Sequence, residues 1–401
     1  MRLCFYRFFR FIQPEFRIFG IRIFHTMPQG AALTSTRTTY FPALTGIRAV
    51  AAYLVFAGHT NVGKEFLPPF LFMMIKMAGH CSLAVFFVLS SFVISTRYAT
   101  SFQTTKENFG RYYIRRFARI YPLFLVVTLV VLLLQGDFSS WHWFLNFTFL
   151  KSFFYHDLFS GVSQAWSLTV EECFYLTAPL LFIGFRRFPW QTLAIIFLFG
   201  LGLVFIGKQF PGSGFVPTVG YLLDFTFFGR CFEFYCGYRL AQYFSKKDLK
   251  SQPKKKWYRL TFAGMAWMFS CLLLIVYFLH QQVVLFSGFS VGITTLINNF
   301  VFPAGVCLFF YGLLTETTLV SRVLSSRPVR FLGKNSFSFS LLHGGIIFEV
   351  LYFQVSENKF IIFLIINVLA AIAYHFFEEP VNQYIRRKTA KRLPESEPAL
   401  A

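Results

Sequence analysis

Apolar runs of about 20 residues recur along this 401-residue chain. Each is long enough to cross a hydrocarbon core of roughly 30 Å as a helix. Ten such runs are read, at about 43–62, 71–95, 120–135, 165–185, 191–207, 219–243, 259–279, 291–314, 336–354 and 358–377. The third and fifth are short. The composition agrees: 56% of residues are hydrophobic and 14% charged, more apolar than a soluble domain. The expected fold is all-α, a polytopic integral membrane bundle of about ten transmembrane helices.

A net charge of +21 would suggest nucleic acid in a soluble protein. Here its placement decides the matter. With both termini inside and the ten runs threaded alternately, the inside segments, with Arg259 at the edge of its run, hold 30 of the 38 Lys and Arg residues. The outside keeps Lys64, Lys151, Lys208 and Lys359, with Lys76 near the outer edge of a run. That asymmetry is the positive-inside pattern. It predicts N-inside and C-inside topology and attraction to anionic membrane lipids, and it argues against nucleic-acid binding. An integral membrane location is expected.

Six of the seven cysteines, Cys81, Cys173, Cys231, Cys236, Cys271 and Cys307, fall within apolar runs, and no C-x-x-C occurs. They read as small buried side chains, so no metal is expected. Residues 1–40 are a basic aromatic extension without a signal-peptide core. Two readings stand for it, a segment lying on the cytoplasmic membrane surface or a dispensable extension preceding a start at Met27. Residues 41–385 form one membrane domain, and 386–401 a cytoplasmic tail.

Ionisable residues at membrane depth are costly and mark candidate sites. "FPALTGIRAVAAYLVFAGHT" carries Arg48 and His59 eleven residues apart, close to three helical turns, so both lie on one face. Taken singly, Arg48 also suits snorkelling to the interface, and His59 a helix end. A histidine can take and return a proton near neutrality. In "QAWSLTVEECFYL", Trp166 marks the outer interface, as aromatic belts do. The adjacent Glu171 and Glu172 point about 100° apart on a helix, so only one can face a given partner. "RYYIRRFARIYPLF" places Arg116 and Arg119 at i,i+3, where two guanidiniums on one face suit phosphate, although basic residues also flank spans for topology alone. Arg230 and Glu233, i,i+3 in "RCFEF", read as a structural ion pair. "LGKNSFSFSLLHGG" adds His343, an acceptor-site residue or a supporting neighbour.

In this order the motifs resemble the acyltransferase-3 family of integral membrane acyltransferases, over nearly the whole chain after about residue 40. "LTGIRAVAAYLVFAGH" is similar to the family's first helix, with its Arg-x10-His signature at Arg48 and His59. "SLAVFFVLSSFVIS" resembles the second-helix motif, with Ser91 where that motif has glycine. "RRFARIYP" matches the Arg-x-x-Arg motif at Arg116 and Arg119, and "WSLTVEECFYL" the Trp-Ser-Leu-x-x-Glu motif with Glu171 as its glutamate. The resemblance implies transfer of an acyl group, usually acetyl, from acyl-coenzyme A to a carbohydrate hydroxyl, as in O-acetylation of cell-envelope polysaccharides. On that footing His59 is the expected base, and Glu171 is expected to orient it. Arg48, Arg116 and Arg119 are expected to hold the donor. The acceptor is a carbohydrate or glycolipid. A polytopic transporter of a glycan precursor or small acid is the alternative, weakened by the lack of an evident inverted repeat.

Overall fold

The computed structural model describes residues 40–99, 106–246, 258–281, 284–286 and 291–392. Residues 1–39, the centre of the Lys-rich loop and residues 393–401 lie outside the described residues, and with them most of the expected N-terminal extension and tail.

The described chain is helical apart from two short strands, β1 (Val284–Phe286) and β2 (Val291–Gly292), paired antiparallel. The helices that build the site are α1 (Pro42–His59), α2 (Pro69–Tyr98) and α3 (Lys106–Gln135), then, after the short α4 (Ser140–Phe147), α5 (Trp166–Arg187). Further along come α6 (Pro189–Gln209), the short α7 (Val219–Phe225), α8 (Phe227–Lys246) and α9 (Arg259–His280). The short α10 (Ile293–Leu296), α11 (Phe302–Thr315), α12 (Leu319–Leu324) and α13 (Arg327–Lys334) lead to α14 (Ser336–Leu342), α15 (Ile346–Gln354), α16 (Lys359–Ala373) and α17 (Glu379–Arg392).

Local chemistry explains many boundaries. Pro42, Pro69 and Pro189 sit in first turns, where a missing N–H removes no helical bond. Asn358 caps α16 by accepting from the Phe360 and Ile361 amides. Thr318 and Ser321 form a capping box on α12.

Among the described residues, seven helices are long and apolar enough to cross a membrane. The chain is an integral membrane protein. An eighth candidate is the pair α14 and α15, bent by 72°. Three expectations change here. The run at 336–354 is not one straight helix: it breaks at His343–Gly345, where Gly345 has φ +60°, a left-handed conformation that glycine adopts without steric cost. The run at 219–243 divides into α7 and α8, and α8 carries the buried Arg230 and Glu233. The run at 43–62 is the helix α1, whose Arg48 and His59 lower its apolar character, so it is not among the seven.

α2 contributes to both large apolar cores. One packs it against α3, α5 and α8, the other against α1, α8, α9 and α11. Ser91, standing where the family motif has glycine, is fully buried and donates to the Phe234 carbonyl. Close approach is retained by the facing helix, because a Cβ at Gly237 would collide with the Val88 carbonyl. α6 and α16 lie at the periphery, each with only 17% of its apolar window buried. Their exposed Leu, Ile and Phe side chains suit contact with lipid.

Candidate active site

Two cavities meet around Arg48. The first, about 260 Å³, is lined by Arg48, His59, Lys76, His80, Gln164, Trp166, Ser167, Glu171, Ser340 and His343 together with apolar residues. The second, about 220 Å³, is lined by Arg48, Ser90, Arg97, Arg115, Arg116, Arg119, Glu171, Tyr175, Asn382 and Arg386 among others. Arg48, Phe86, Glu171 and Phe337 belong to both. Three turns of α1 thus run from one cavity to the other, with His59 at one end and Arg48 at the neck.

The histidine cavity is organised by one contact between distant segments. His59 Nδ1 lies 3.1 Å from His343 Nε2, and the two rings are within 12° of parallel. His59 is exposed, its ring opening on the cavity, whereas His343 is 2% exposed and sits behind it. His343 Nδ1 is 2.9 Å from the Ser340 carbonyl oxygen. The group hydrogen-bonded to His59 Nδ1 is therefore an imidazole, whereas Glu171, expected to orient that ring, is placed against Ser90. Glu171 lines both cavities and accepts from Ser90 on α2. The Tyr175 hydroxyl joins this pair. Glu172, one residue on, lines neither cavity, as the 100° offset requires.

Trp166 is not in an exposed aromatic belt. It is 7% exposed, lines the histidine cavity and packs edge-on against Phe225 at 4.9 Å. Gln164, two residues before it, donates to the Leu341 carbonyl at 2.9 Å and so ties the start of α5 to the end of α14.

In the arginine cavity, the Arg116 guanidinium lies 5.8 Å from the centre of the Tyr175 ring. The Nε atoms of Arg116 and Arg48 are buried with no hydrogen-bond partner among the described residues. Arg119 lines the same wall, and Glu378 faces both Arg119 and Arg48. Glu378 sits at the end of a π turn, Tyr374–Glu378, and accepts from Ser338 at 2.6 Å. π turns often mark functional positions.

Arg230 and Glu233 line neither cavity. Both are fully buried and pair through two contacts of 2.8 Å, with the guanidinium 5.3 Å from the centre of the Phe87 ring. Among the described residues no group of three or more His, Cys, Asp or Glu is placed to hold a metal ion.

Several lining residues escape the sequence reading. Lys76 and His80 are spaced i,i+4 on α2, and Asn382 and Arg386 i,i+4 on α17, so helical periodicity applied to the flanks would have found them. Arg386 was expected in a cytoplasmic tail, but it belongs to a helix and to a cavity wall. Ser90 and Glu378 reach the site through tertiary packing, which no local signal reports.

A family model described as "Acyltransferase domain" matches residues 41–376. The chain is similar to a putative peptidoglycan O-acetyltransferase, YrhL, of Bacillus subtilis, 26% identical over 88% of this chain and 57% of that protein. It is 27% identical to peptidoglycan O-acetyltransferase OatA of Listeria monocytogenes, over 77% of this chain and 49% of the relative. A putative O-acetyltransferase of Staphylococcus aureus is 23% identical over 86% of the chain and 58% of its own length. The chain thus spans about half the length of these curated relatives. No solved structure matches it.

Proposed function

The chain belongs to the acyltransferase domain family, and from that membership we propose that it is a membrane-embedded O-acyltransferase. It moves an acyl group, acetyl in the simplest case, from acyl-coenzyme A to a hydroxyl of a carbohydrate or glycolipid. The relatives' names support a cell-wall glycan as that acceptor. The observation that carries the reading is the junction at Arg48 of an arginine-lined cavity with a histidine-lined one.

The arginine cavity suits the donor. Guanidiniums bind phosphate in bidentate fashion, and two buried Nε atoms lack partners among the described residues. Arg116 and Arg119 hold the phosphates of coenzyme A, and Arg48 meets the donor at the neck. The histidine cavity suits the acceptor. A hydroxyl is a weak nucleophile, and His59 takes its proton as the oxygen attacks the thioester carbonyl. The carbon–sulfur bond breaks, and the leaving thiolate recovers the proton from His59. Negative charge developing on the carbonyl oxygen needs a donor, for which His80 is a cavity-lining candidate. The transport reading is not favoured beside the family match.

The Lys and Arg asymmetry supports ten crossings of a bacterial inner membrane with both termini in the cytoplasm. A reporter active only outside the cytoplasm should be silent after Arg392 and active near Gly212. The function itself is tested by incubating membranes containing the full chain with labelled acetyl-coenzyme A, and by mass spectrometry of surface glycans with and without the protein. Label in glycan and an acetyl mass shift are expected. Absence of both would remove the acyltransferase reading.

A further inference from the structure

The contacts behind His59 specify which of its nitrogens is the base. A carbonyl oxygen only accepts, so His343 Nδ1, 2.9 Å from Ser340 O, carries a hydrogen and donates it. His343 is 2% exposed. A second proton would bury a cation beside another imidazole, with a carbonyl as its other close partner, an arrangement of high free energy. His343 is therefore neutral, and its Nε2 is a bare acceptor. The nitrogen 3.1 Å away, His59 Nδ1, must be the donor. That leaves the lone pair of His59 on Nε2, the nitrogen not engaged by His343, on a ring that opens on the cavity.

We propose that His343 is the positioning residue of this site, holding His59 in its Nδ1–H tautomer so that Nε2 takes the acceptor's proton. The proposal rests on the acyl-transfer reading above. The bend in the chain makes the arrangement available. The last four carbonyls of a helix have no partner within it. α14 ends at Leu342, so Ser340 O is one of them. A straight helix through residues 336–354 would engage that oxygen in its own ladder. Phe339, packed nearly parallel to the His343 ring at 5.7 Å, fixes the plane in which the ring lies. During transfer the hydroxyl proton moves to His59 Nε2, and the imidazolium keeps its Nδ1–H on His343. When the thiolate takes the proton from Nε2, the starting tautomer is restored without rotation of the ring.

The test compares His343→Phe, His343→Gln and His343→Asn with wild type and His59→Ala, measuring acetyl transfer in native membranes at matched protein levels. Phe keeps the ring and removes the acceptor. Gln carries an amide oxygen at about the reach of Nε2. Asn reaches only as far as Nδ1, so it can contact Ser340 O but not His59. His343→Phe and His343→Asn should lower kcat about 10- to 100-fold, the effect of losing a hydrogen bond to a charged group. Their KM for acetyl-coenzyme A should be unchanged. His343→Gln should retain kcat within a few-fold. If the Phe variant does not reach the membrane, the Gln and Asn pair decides. Equal damage by Gln and Asn would overturn the proposal in favour of a shape requirement, and so would wild-type kcat in His343→Phe or His343→Asn. If those variants are active while His59→Ala is inactive, only this inference falls. If His59→Ala itself transfers normally, the base assignment falls with it.

Discussion

Six arginines wall one of the two cavities and three histidines line the other, and only Arg48, Phe86, Glu171 and Phe337 are common to both. The difference is one of acid–base character. A guanidinium stays charged at any pH the protein meets, so it can hold an anion but cannot relay a proton. An imidazole does the reverse: when neutral it adds no charge, and it changes protonation readily near neutral pH. A reaction that must anchor a polyphosphate and activate a hydroxyl needs both kinds of surface. Mixing them would set like charges beside the base. Separating them along three turns of α1 keeps five of the six arginines out of the histidine cavity.

The strongest way to break the comparison is His59→Ala. Transfer should fall about 10²- to 10⁴-fold, the usual contribution of a general base, while binding of coenzyme A persists. Joint loss of transfer and donor binding would mean that the cavities are not separate in function. Replacing Arg116 and Arg119 together by Ala is the mirror experiment. Each charge-assisted contact removed contributes roughly 1.5–3 kcal/mol. The KM for acyl-coenzyme A should therefore rise at least about tenfold, with kcat nearly kept. An unchanged KM would reduce the pair to topology determinants. Glu171→Gln probes the shared wall. Because Glu171 faces both cavities and bonds Ser90, a several-fold change in kcat and in donor KM together is expected. A change in one alone would assign this residue to a single cavity.

The smallest effect concerns the loop that leads into the histidine cavity. Lys151 is buried, and its ammonium donates to the carbonyls of Ser160, at 2.9 Å, and Val162, just before Gln164 and Trp166. Burial pulls its pKa down from 10.5 to about 7. Between those values the unfolded chain holds a proton that the folded protein lacks, so stability rises with pH. Relative to Lys151→Met, the wild-type protein should gain thermal stability from pH 7 to pH 9, by at most about 1.4 kcal/mol per unit. Parallel pH profiles for the two proteins would show that Lys151 keeps its charge.

Much of the site was legible because a charged or titratable residue inside an apolar run is conspicuous. Arg48, His59, His343 and Glu171 stand out that way, the Arg116 and Arg119 pair by its i,i+3 spacing just before a run, and all line the two cavities. Their partners were less legible. That His59 meets His343, 284 positions away, depends on how α14 packs beside α1. The break at His343–Gly345 was hidden because average hydropathy treats two short apolar helices like one long one. Yet Gly344 and Gly345 stood in the sequence as its cause. The place of Trp166 in the cavity wall was less legible, because an aromatic at a span's end suits a lipid interface and a cavity wall equally well.

The neck at Arg48 has a consequence for the bilayer as an electrical barrier. Two polar cavities that meet inside a membrane protein thin the insulating layer to the side chains between them. Through such a path, water would carry protons and cations down the membrane potential. A fixed guanidinium where two such cavities meet would repel a cation entering from either side, as a lone arginine does in water-selective pores. Arg48, in both linings, has that place here.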